Sequence, residues 1–396
     1  MATASRRRLQ RVALQRQGLS GARPFGRGLD ATLSAVEHLG YVQIDTLAVV
    51  ERAHHHTLWT RVPDYQPQML HQLVYERRVF EYWSHAASYL PMRDYRFALP
   101  RMMAARRGEL VYAKAQPKYL REVSARIRGD GPLKARDFEA KSKRKGSWWN
   151  WKQTKRALEQ LFTQGDLMIS GRDGMEKIYD LAERVLPSAT DTREPSLAEL
   201  ADYLVKTALR ANGFTTLKQL AHLRPGRALR DALAASLAQQ MEAETVVELA
   251  VEGMPTVYAD QAAINATLPR TAATLRLLSP FDNAVIHRDR VEQLFAFNYR
   301  MECYLPKSKR QFGYFCLPIL FRDQLIGQVD CKAHRTQQHF EMIHVHLNTA
   351  GLEPDQWLPA FRHSVRRFAA FNHCTTIAAT KVSPRKLTGV LRKAFG

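Results

Sequence analysis

SWWNWKQTKRALEQLFTQGDLMISGRDGMEKIYDL, residues 147–181, is the stretch that decides the fold. Its first half is predicted to be a helix, because apolar residues recur there at helical spacing. Its second half has two short apolar segments, 165–170 and 177–181, on either side of the turn Gly171-Arg-Asp-Gly, and this predicts a β-hairpin. Helices followed by a hairpin, over 130–187, are typical of the winged-helix form of the helix-turn-helix, a DNA-binding motif.

The predicted helix has an apolar and a basic face. Lys152, Lys155 and Arg156 fall on a different face from the apolar stripe, so we expect these three cations to contact DNA. The stripe consists of Trp148, Trp151, Leu158, Leu161 and Phe162. Tryptophans are more often core residues than base-stacking platforms, and on that ground we assign four of them to the core: Trp148, Trp149, Trp151 and Trp357.

The remainder of the chain is predicted to repeat this plan. Residues 1–128 are expected to form a helical, winged-helix region that carries the candidate catalytic motif, and 129–190 and 191–265 two further winged helices. Residues 266–396 are expected to form a β-rich DNA-binding element and a C-terminal helix. The expected fold class is therefore mainly α with small β elements, with tandem winged-helix domains and a C-terminal β-rich element.

The last region is predicted to contain most of the strands. The candidates are 294–299, 314–320, 325–332 and 340–347, and in the last of these apolar and polar residues alternate. Pro318 indicates that its strand is an edge strand or is bulged. An amphipathic helix is predicted from Trp357 to Phe371.

The charge of the chain indicates its class of ligand. The 396 residues include 59 Lys and Arg against 38 Asp and Glu, which gives a formal net charge of +21. This surplus is dispersed along the chain, whereas a membrane anchor would concentrate it in one helix, so nucleic acid is favoured over a membrane surface. Four widely spaced cysteines without a CxxC pair argue against a disulfide framework or a zinc finger. We expect a cytoplasmic, nucleoid-associated protein.

The segment Tyr41-Val-Gln-Ile-Asp-Thr-Leu is the sharpest candidate for chemistry. If it is extended, a period of two places Gln43 and Asp45 on one face, with Val42 and Ile44 on the other. An amide and a carboxylate can hold a water molecule between them, the amide orienting it and the carboxylate accepting its proton. Because this spacing is common in surface strands, the pattern alone fits a solvated strand more often than a catalytic one.

Several motifs, taken in order along the chain, carry a resemblance to a known family. They are Val42-Gln-Ile-Asp-Thr, Arg52-Ala-His-His, Phe80-Glu-Tyr-Trp-Ser-His, Ser147-Trp-Trp-Asn-Trp, Tyr179-Asp-Leu-Ala-Glu-Arg-Val-Leu-Pro, Ser279-Pro-Phe-Asp, Tyr304-Leu-Pro-Lys-Ser-Lys-Arg and Gly327-Gln-Val-Asp-Cys-Lys-Ala-His-Arg. In this order they resemble the AlkZ/YcaQ family of bacterial DNA glycosylases, a tandem winged-helix superfamily. The likeness covers nearly the whole chain.

The resemblance implies a catalytic role for Gln43 and Asp45, because a Gln-apolar-Gln or Gln-apolar-Asp tripeptide is the catalytic motif of that family. The version with Asp resembles the YcaQ branch, also called AlkX, which is associated with N7-alkylpurines and with the unhooking of interstrand crosslinks. No lysine lies in the motif, so nothing demands a Schiff-base step. Gln328 departs from the pattern, since many relatives have arginine there, and this weakens the expectation of one DNA contact.

The resemblance also implies a substrate pocket beside the motif, with Trp83 packing and His85 facing the DNA or the lesion. The expected pocket residues are His54, His55, Glu81, Tyr82, Trp83 and His85. Two alternatives stay open. The 81–83 cluster also fits a helix start with core aromatics. His54-His55-His56 also suggests zinc, although adjacent histidines diverge and no carboxylate or cysteine completes the ligand shell.

Basic residues flanking the β-rich element are further candidates for DNA binding. A basic hairpin can enter a groove, and solubilising sheet edges are the alternative. The candidates are Lys307, Lys309, Arg310, Lys332 and Arg335. For the run Lys141-Ser-Lys-Arg-Lys, a solvated loop and a phosphate contact are equally open.

The leading hypothesis is a monomeric DNA repair glycosylase that needs no cofactor or metal. It would hydrolyse the N-glycosidic bond of N7-alkylated purines in double-stranded DNA, cross-linked purines included. The alternative is a winged-helix DNA-binding regulator without catalysis, but such a regulator is usually a dimer, and no heptad or dimerisation helix is visible. A nuclease is weaker still, since the sequence lacks the clustered acids of a metal site.

Overall fold

A computed structural model describes residues 2–21, 24–110, 112–139 and 147–395, apart from the side chains of residues 2 and 147–150. The fold is mainly helical with several small sheets, which confirms that part of the expected fold class. The chain divides into two compact units: Met1–Gln66 with Leu204–Gly396 form the first, and Pro67–Tyr203 the second. The finer division into four regions stays a prediction.

The helices and strands are numbered in chain order. The helices are α1 (Arg6–Arg16), α2 (Gly28–Leu39), α3 (Ala53–Trp59), α4 (Pro67–Tyr75), α5 (Leu99–Arg106), α6 (Pro117–Asp130), α7 (Ser147–Gln164), α8 (Ala182–Val185), α9 (Leu197–Asn212), α10 (Leu217–Leu220), α11 (Arg227–Glu242), α12 (Gln261–Asn265), α13 (Arg288–Phe295), α14 (Pro354–Phe371) and α15 (Thr388–Phe395). The strands are β1 (Ala2–Thr3), β2 (Val42–Gln43), β3 (Val79–Trp83), β4 (Ala87–Pro91), β5 (Leu133–Lys134), β6 (Leu167–Asp173), β7 (Glu176–Leu181), β8 (Phe214–Thr215), β9 (Val246–Ala250), β10 (Val257–Asp260), β11 (Leu275–Leu277), β12 (Cys316–Phe321), β13 (Gln324–His334), β14 (His339–Leu347) and β15 (Thr376–Ser383).

A five-stranded sheet, in the order β11-β12-β13-β14-β15, is the centre of the first unit. Neighbouring strands are antiparallel except β14 and β15, which are parallel. Helix α14 packs against one face of this sheet through Trp357, Phe361, Val365 and Phe368, all of them fully buried. The predicted closing helix is confirmed, as is the assignment of Trp357 to the core.

Of two expectations for this sheet, the one for Pro318 is met by the second of its two alternatives and the other is corrected. Pro318 lies on β12, an interior strand, so it does not mark an edge; the expected bulge is present, with a register shift between Ile319 and Leu320. The predicted strand 294–299 is wrong, because Leu294 and Phe295 end helix α13. Ala296 caps that helix in the left-handed conformation, at φ 52°. Burial of Leu294 against α1 therefore outweighed the strand-like pattern.

A four-stranded sheet, in the order β1-β9-β10-β8, forms a second core of the first unit. Helix α1 packs into this core with Leu9 and Ala13, next to Phe214 and Val257. The basic side chains of α1 stay on its other faces, as expected for an amphipathic helix.

The second unit contains the segment from which the fold was predicted. Helix α7 buries Leu158, Leu161 and Phe162, and the hairpin of β6 and β7 follows it, so both elements are confirmed. The position of the predicted turn is corrected, because residues 171–173 pair with β7 as part of β6 and the turn follows them. Strand β5 pairs with β7, which gives a small sheet in the order β5-β7-β6, and α6 packs against α7. Trp151 is half-buried rather than a core residue, and the side chains of Trp148 and Trp149 lie outside the described residues.

Over the described ranges, the chain contains no helix with the length and apolar character needed to cross a membrane.

Candidate active site

The segment around Gln43 and Asp45 has the alternation that its sequence predicts. Strand β2 covers Val42 and Gln43, and Asp45 follows two residues later. Val42 is fully buried and Ile44 is 9% exposed, whereas Gln43 and Asp45 are partly exposed. The two apolar side chains thus anchor the segment, and the amide and the carboxylate keep access to its other side.

The carboxylate of Asp45 is held by its own backbone. One of its oxygens, Oδ2, accepts a hydrogen bond from the N–H of Leu47 at 3.1 Å. Burial raises the pKa of Asp45 above its usual value, and hydrogen bonds from the backbone of Leu47 and Thr46 oppose that shift without cancelling it. A carboxylate with a raised pKa is a stronger proton acceptor than a surface aspartate, which is the property a general base needs.

Hydrogen bonds fix the segment to the first unit on both sides of the motif. Before it, Nδ2 of Asn283 donates to the carbonyl of Tyr41 at 3.0 Å. After it, the N–H of Ala333 donates to the carbonyl of Val49 at 2.9 Å. Nη1 of Arg335 donates to the carbonyl of Ala48 at 3.1 Å. Arg335 therefore lies near the motif, and one of its donors is engaged in holding the backbone.

The motif Ser279-Pro-Phe-Asp supports this anchor. Asp282 is fully buried and forms a two-point ion pair with Arg61, with N–O distances of 2.7 and 2.8 Å. Oδ1 of Asp282 also accepts the N–H of Ala284, which fixes the turn that carries Asn283. Sequence reasoning had not given Asn283, Asp282 or Arg61 a role. The position of Asn283 directly after this motif was the only available signal.

The histidines at 54–56 are interior residues of helix α3. His54 and His55 are 3% and 4% exposed, and Nδ1 of His55 lies 2.7 Å from the hydroxyl of Tyr65. Nε2 of His56 lies 2.8 Å from the carbonyl of Leu277, and burial lowers the pKa of His56 to about 4. Side chains this buried do not present a surface to DNA phosphates. A place for His54 and His55 in a substrate pocket stays a prediction.

The cluster Glu81, Tyr82, Trp83 and His85 belongs to the second unit. The residues 81–83 lie on strand β3, not at the helix start of the alternative interpretation, and His85 is half-buried in the following turn. Trp83, which we expected to pack, is 44% exposed, with the guanidinium of Arg101 5.1 Å from its ring centre. The placement of this cluster beside Gln43 and Asp45 stays a prediction.

Two members of that cluster have structural contacts within the second unit. Glu81 is 2% exposed and forms a two-point ion pair with Arg172, at 2.7 and 2.8 Å. The hydroxyl of Tyr82 donates to the carbonyl of Thr163 at 2.6 Å. Because these groups are hydrogen-bonded within the second unit, they connect β3 to the core around α7 and β6.

The predicted DNA-binding residues occupy three surfaces. Lys152, Lys155 and Arg156 lie on α7, where Nζ of Lys155 is 4.4 Å from the ring centre of Trp151. Lys332 is exposed on β13. Lys307 and Lys309 are exposed in a short 3₁₀ turn, and Nε of Arg310 donates to the carbonyl of Leu305 at 2.9 Å. The run 141–145 lies outside the described residues.

Gln328, where the resemblance led us to expect arginine, is an interior residue. Gln328 is 3% exposed on β13, in register with Pro318 on one side and His346 on the other. A side chain with this burial is not available on the surface, which agrees with the weakened expectation of a DNA contact at this position.

A match to a family model identifies the class of this chain as that of the DNA glycosylases. A model of the family described as DNA glycosylase AlkZ-like matches residues 36–371, which include Gln43, Asp45 and the whole second unit. The chain belongs to the AlkZ-like DNA glycosylase family. Its fold is similar to that of the Streptomyces sahachiroi DNA glycosylase AlkZ, with a TM-score of 0.63 at 16% identity, over 96% of this chain and 100% of the other.

Proposed function

We propose that this glycosylase hydrolyses the N-glycosidic bond of cationic N7-alkylated purines in duplex DNA, with Asp45 and Gln43 as its catalytic residues. The observation that carries the proposal is the state of Asp45: a partly exposed carboxylate with a raised pKa, on a segment that hydrogen bonds fix on both sides. Perturbed carboxylates that keep access to solvent are concentrated at functional sites, which supports the choice of Asp45.

The chemistry of the substrate matches what these two side chains provide. An N7-alkylated purine already carries a positive charge, so when the bond from C1′ to N9 breaks, the electron pair neutralises the base and no strong general acid is needed. The sugar develops oxocarbenium character, which a nearby carboxylate stabilises electrostatically. A water molecule oriented by Gln43 then bonds to C1′, and Asp45 accepts the proton that this water loses.

In this proposal the second unit binds the DNA duplex. Residues 129–190, with helix α7 and the sheet β5-β7-β6, are interpreted as a winged helix, and the exposed Lys152 and Lys155 of α7 as its phosphate contacts. Further winged helices are proposed at 1–128 and 191–265, in accord with the four-region division. The formal net charge of +21 supports duplex DNA as the partner. In this proposal the protein acts as a monomer at the nucleoid.

The proposed substrates extend to interstrand crosslinks. Asp rather than Gln at position 45 supports this, because the motif version with Asp resembles the crosslink-unhooking branch. A crosslinked N7 position has the same positive charge as a mono-adduct, so the same bond-breaking step serves both substrates.

The test is direct excision by the full chain. Wild-type protein is incubated in metal-free buffer with a duplex that contains one N7-methylguanine, and abasic sites are scored against an undamaged duplex of the same sequence. We expect abasic sites in the damaged duplex alone. Binding without release would instead support a regulator that lacks catalysis.

A second experiment tests whether the protein releases crosslinked purines as well as mono-adducts. A nitrogen-mustard interstrand crosslink and the matching mono-adduct are presented at the same position in the same duplex. We expect both to be released. Release of the mono-adduct alone would restrict the proposed function to single-strand lesions.

A further inference from the structure

Residues 304–309 form an exposed loop tip, and its first two residues have large apolar side chains. Tyr304 is 76% exposed and Leu305 is 40% exposed, and all six residues of the tip are exposed. Because the two residues are adjacent in the chain, the tip offers a partner two neighbouring apolar side chains rather than a single one. Lys307 and Lys309 follow directly in the short 3₁₀ turn, so the apolar pair is next to two cations.

The base of the tip is closed by hydrogen bonds. The buried carboxylate of Glu302 accepts backbone N–H groups from Gln311 at 3.0 Å, Phe312 at 2.7 Å and Gly313 at 3.1 Å. Burial alone would raise the pKa of Glu302, but these hydrogen bonds together lower it below its usual value. The carboxylate therefore stays ionised and closes the loop.

The tip itself is also fixed by hydrogen bonds. The N–H of Leu305 donates to the carbonyl of Glu302 at 2.9 Å, and that of Lys309 to the carbonyl of Pro306 at 2.9 Å. Arg310 donates to the carbonyl of Leu305, and its guanidinium lies 4.7 Å from the ring centre of Tyr314. Arg310 thus positions the tip, and Tyr304 and Leu305 are held out without having to be ordered on binding.

The loop lies within electrostatic range of the proposed catalytic carboxylate. Burial is the first cause of a raised pKa at both Cys303 and Tyr304, and the charge of Asp45 contributes at each. Both residues and Asp45 belong to the first unit. The exposed apolar pair is therefore in the vicinity of the site where the damaged nucleotide must be held.

We propose that Tyr304 and Leu305 form a wedge that enters the base stack of duplex DNA beside the damaged nucleotide. In this proposal, Lys307 and Lys309 bind the phosphates flanking the opened step. It rests on the proposed function. Charge favours this occupant over a second copy of the chain, because both the tip and the chain as a whole are positive. Apolar wedges between base steps are a recurring means of unstacking DNA, and proteins that use them also bind the groove with basic side chains like those of this tip.

The test compares Tyr304→Ala with Tyr304→Phe, which keeps the ring. The probe is a duplex with 2-aminopurine next to a non-hydrolysable, 2′-fluorinated N7-methylguanine nucleotide. Wild type and Tyr304→Phe are expected to change the 2-aminopurine fluorescence on binding, and Tyr304→Ala to lose that change. The control is Tyr75→Ala, which removes another tyrosine, 82% exposed, from the second unit; it should behave as wild type.

Activity provides the second measurement. Tyr304→Ala should release the base about 10- to 100-fold more slowly from a paired duplex, in line with the stacking contribution of one aromatic side chain. It should recover when the neighbouring base pair is a mismatch, since that step is already unstacked. An unaltered fluorescence response and unaltered release by Tyr304→Ala would overturn the wedge. If wild type releases no base, the proposed function fails instead, and the fluorescence comparison still tests the wedge.

Discussion

The side-chain amide of Asn283 donates a hydrogen bond to the backbone carbonyl of Tyr41, at an N–O distance of 3.0 Å, although 242 residues separate the two along the chain. Gln43 follows Tyr41 by two residues, and Asn283 sits next to Asp282, whose carboxylate is paired with Arg61 in the interior. A buried ion pair thus fixes the turn, and the turn fixes the start of the proposed catalytic segment.

Asn283→Ala should slow base release while leaving DNA affinity unchanged. One hydrogen bond of this kind contributes about 1 kcal/mol to stability, so the fold should persist. Misplacement of a catalytic group by about 1 Å costs up to about 100-fold in rate, so we expect a loss between about 10- and 100-fold. Single-turnover release from an N7-methylguanine duplex measures it. The matched control is Asn265→Ala, at an exposed asparagine of α12, and equal rates for the two variants would contradict the positioning role.

The pH dependence of release should have an acid limb that belongs to Asp45. Burial makes the ionised form less favourable, so Asp45 should gain its proton at a pH above the ordinary value of 3.8, and kcat/KM should fall as the pH drops through that point. In Asp45→Asn the residual rate should lack this limb. The profile is corrected for spontaneous depurination without protein. A midpoint at or below 3.8 would contradict the burial of the carboxylate.

The same shift makes a prediction about stability. Because the folded state binds the Asp45 proton more tightly than the unfolded chain, its contribution to stability is present at low pH and is lost as the pH rises through the raised pKa. Ionised Asp45 therefore costs stability at neutral pH, and Asp45→Asn should melt at the same temperature as wild type or higher. Differential scanning calorimetry at pH 7 measures this, and a clearly lower Tm would be evidence against it.

Breaking the pair of Arg61 and Asp282 should destabilise the first unit strongly. Both side chains are fully buried, and removing one partner leaves an uncompensated charge, which costs about 3–5 kcal/mol. We expect Arg61→Met to lower the free energy of unfolding by this amount, as measured by urea denaturation. Arg227→Met is the control, since Arg227 pairs with Asp231 on the surface at 3.6 Å. Equal losses in both variants would contradict the special role of the buried pair.

Lys307→Ala and Lys309→Ala should each reduce the salt dependence of duplex binding. Each phosphate contact contributes about 0.9 to the slope of log affinity against log salt, so each variant should lose roughly that amount. Fluorescence anisotropy over a range of salt concentrations measures the slope. Lys218→Ala is the control, because Lys218 is already paired with Asp289. If all three variants keep the wild-type slope, Lys307 and Lys309 do not contact phosphates.

Local sequence patterns were sufficient to predict those elements in which neighbouring residues alone determine which side chains are buried. The alternation from Val42 to Asp45 and the glycine-bearing turn between β6 and β7 are set by neighbouring residues, so period and turn chemistry were sufficient. The strand predicted at 294–299 was wrong because its apolar residues are buried against α1, and the local sequence period does not record that contact. Strand β15 was not predicted, and it pairs in parallel with β14 across helix α14.

The sequence did not show which candidate site residues already have hydrogen-bond or ion-pair partners, because such partners can lie far away along the chain. Glu81 has the chemistry of a pocket residue, but Arg172, 91 residues away, pairs with it in the interior. His55 also has a buried partner, because its ring nitrogen Nδ1 lies within hydrogen-bond distance of the hydroxyl of Tyr65. Spacing can suggest that an ionisable residue is available for chemistry, but only the folded chain shows whether its hydrogen bonds are already made. Asn283 was overlooked for the same reason.

The rate of base release by Asp45→Asn tests the central claim most directly. Single-turnover release from an N7-methylguanine duplex is compared for wild type, Asp45→Asn and Gln43→Ala, with duplex affinity measured in parallel. The control is Asp231→Asn, which alters an exposed aspartate of α11. We predict a loss of at least about 100-fold for Asp45→Asn, with affinity retained. Release at the wild-type rate by Asp45→Asn would contradict the assignment of the catalytic carboxylate.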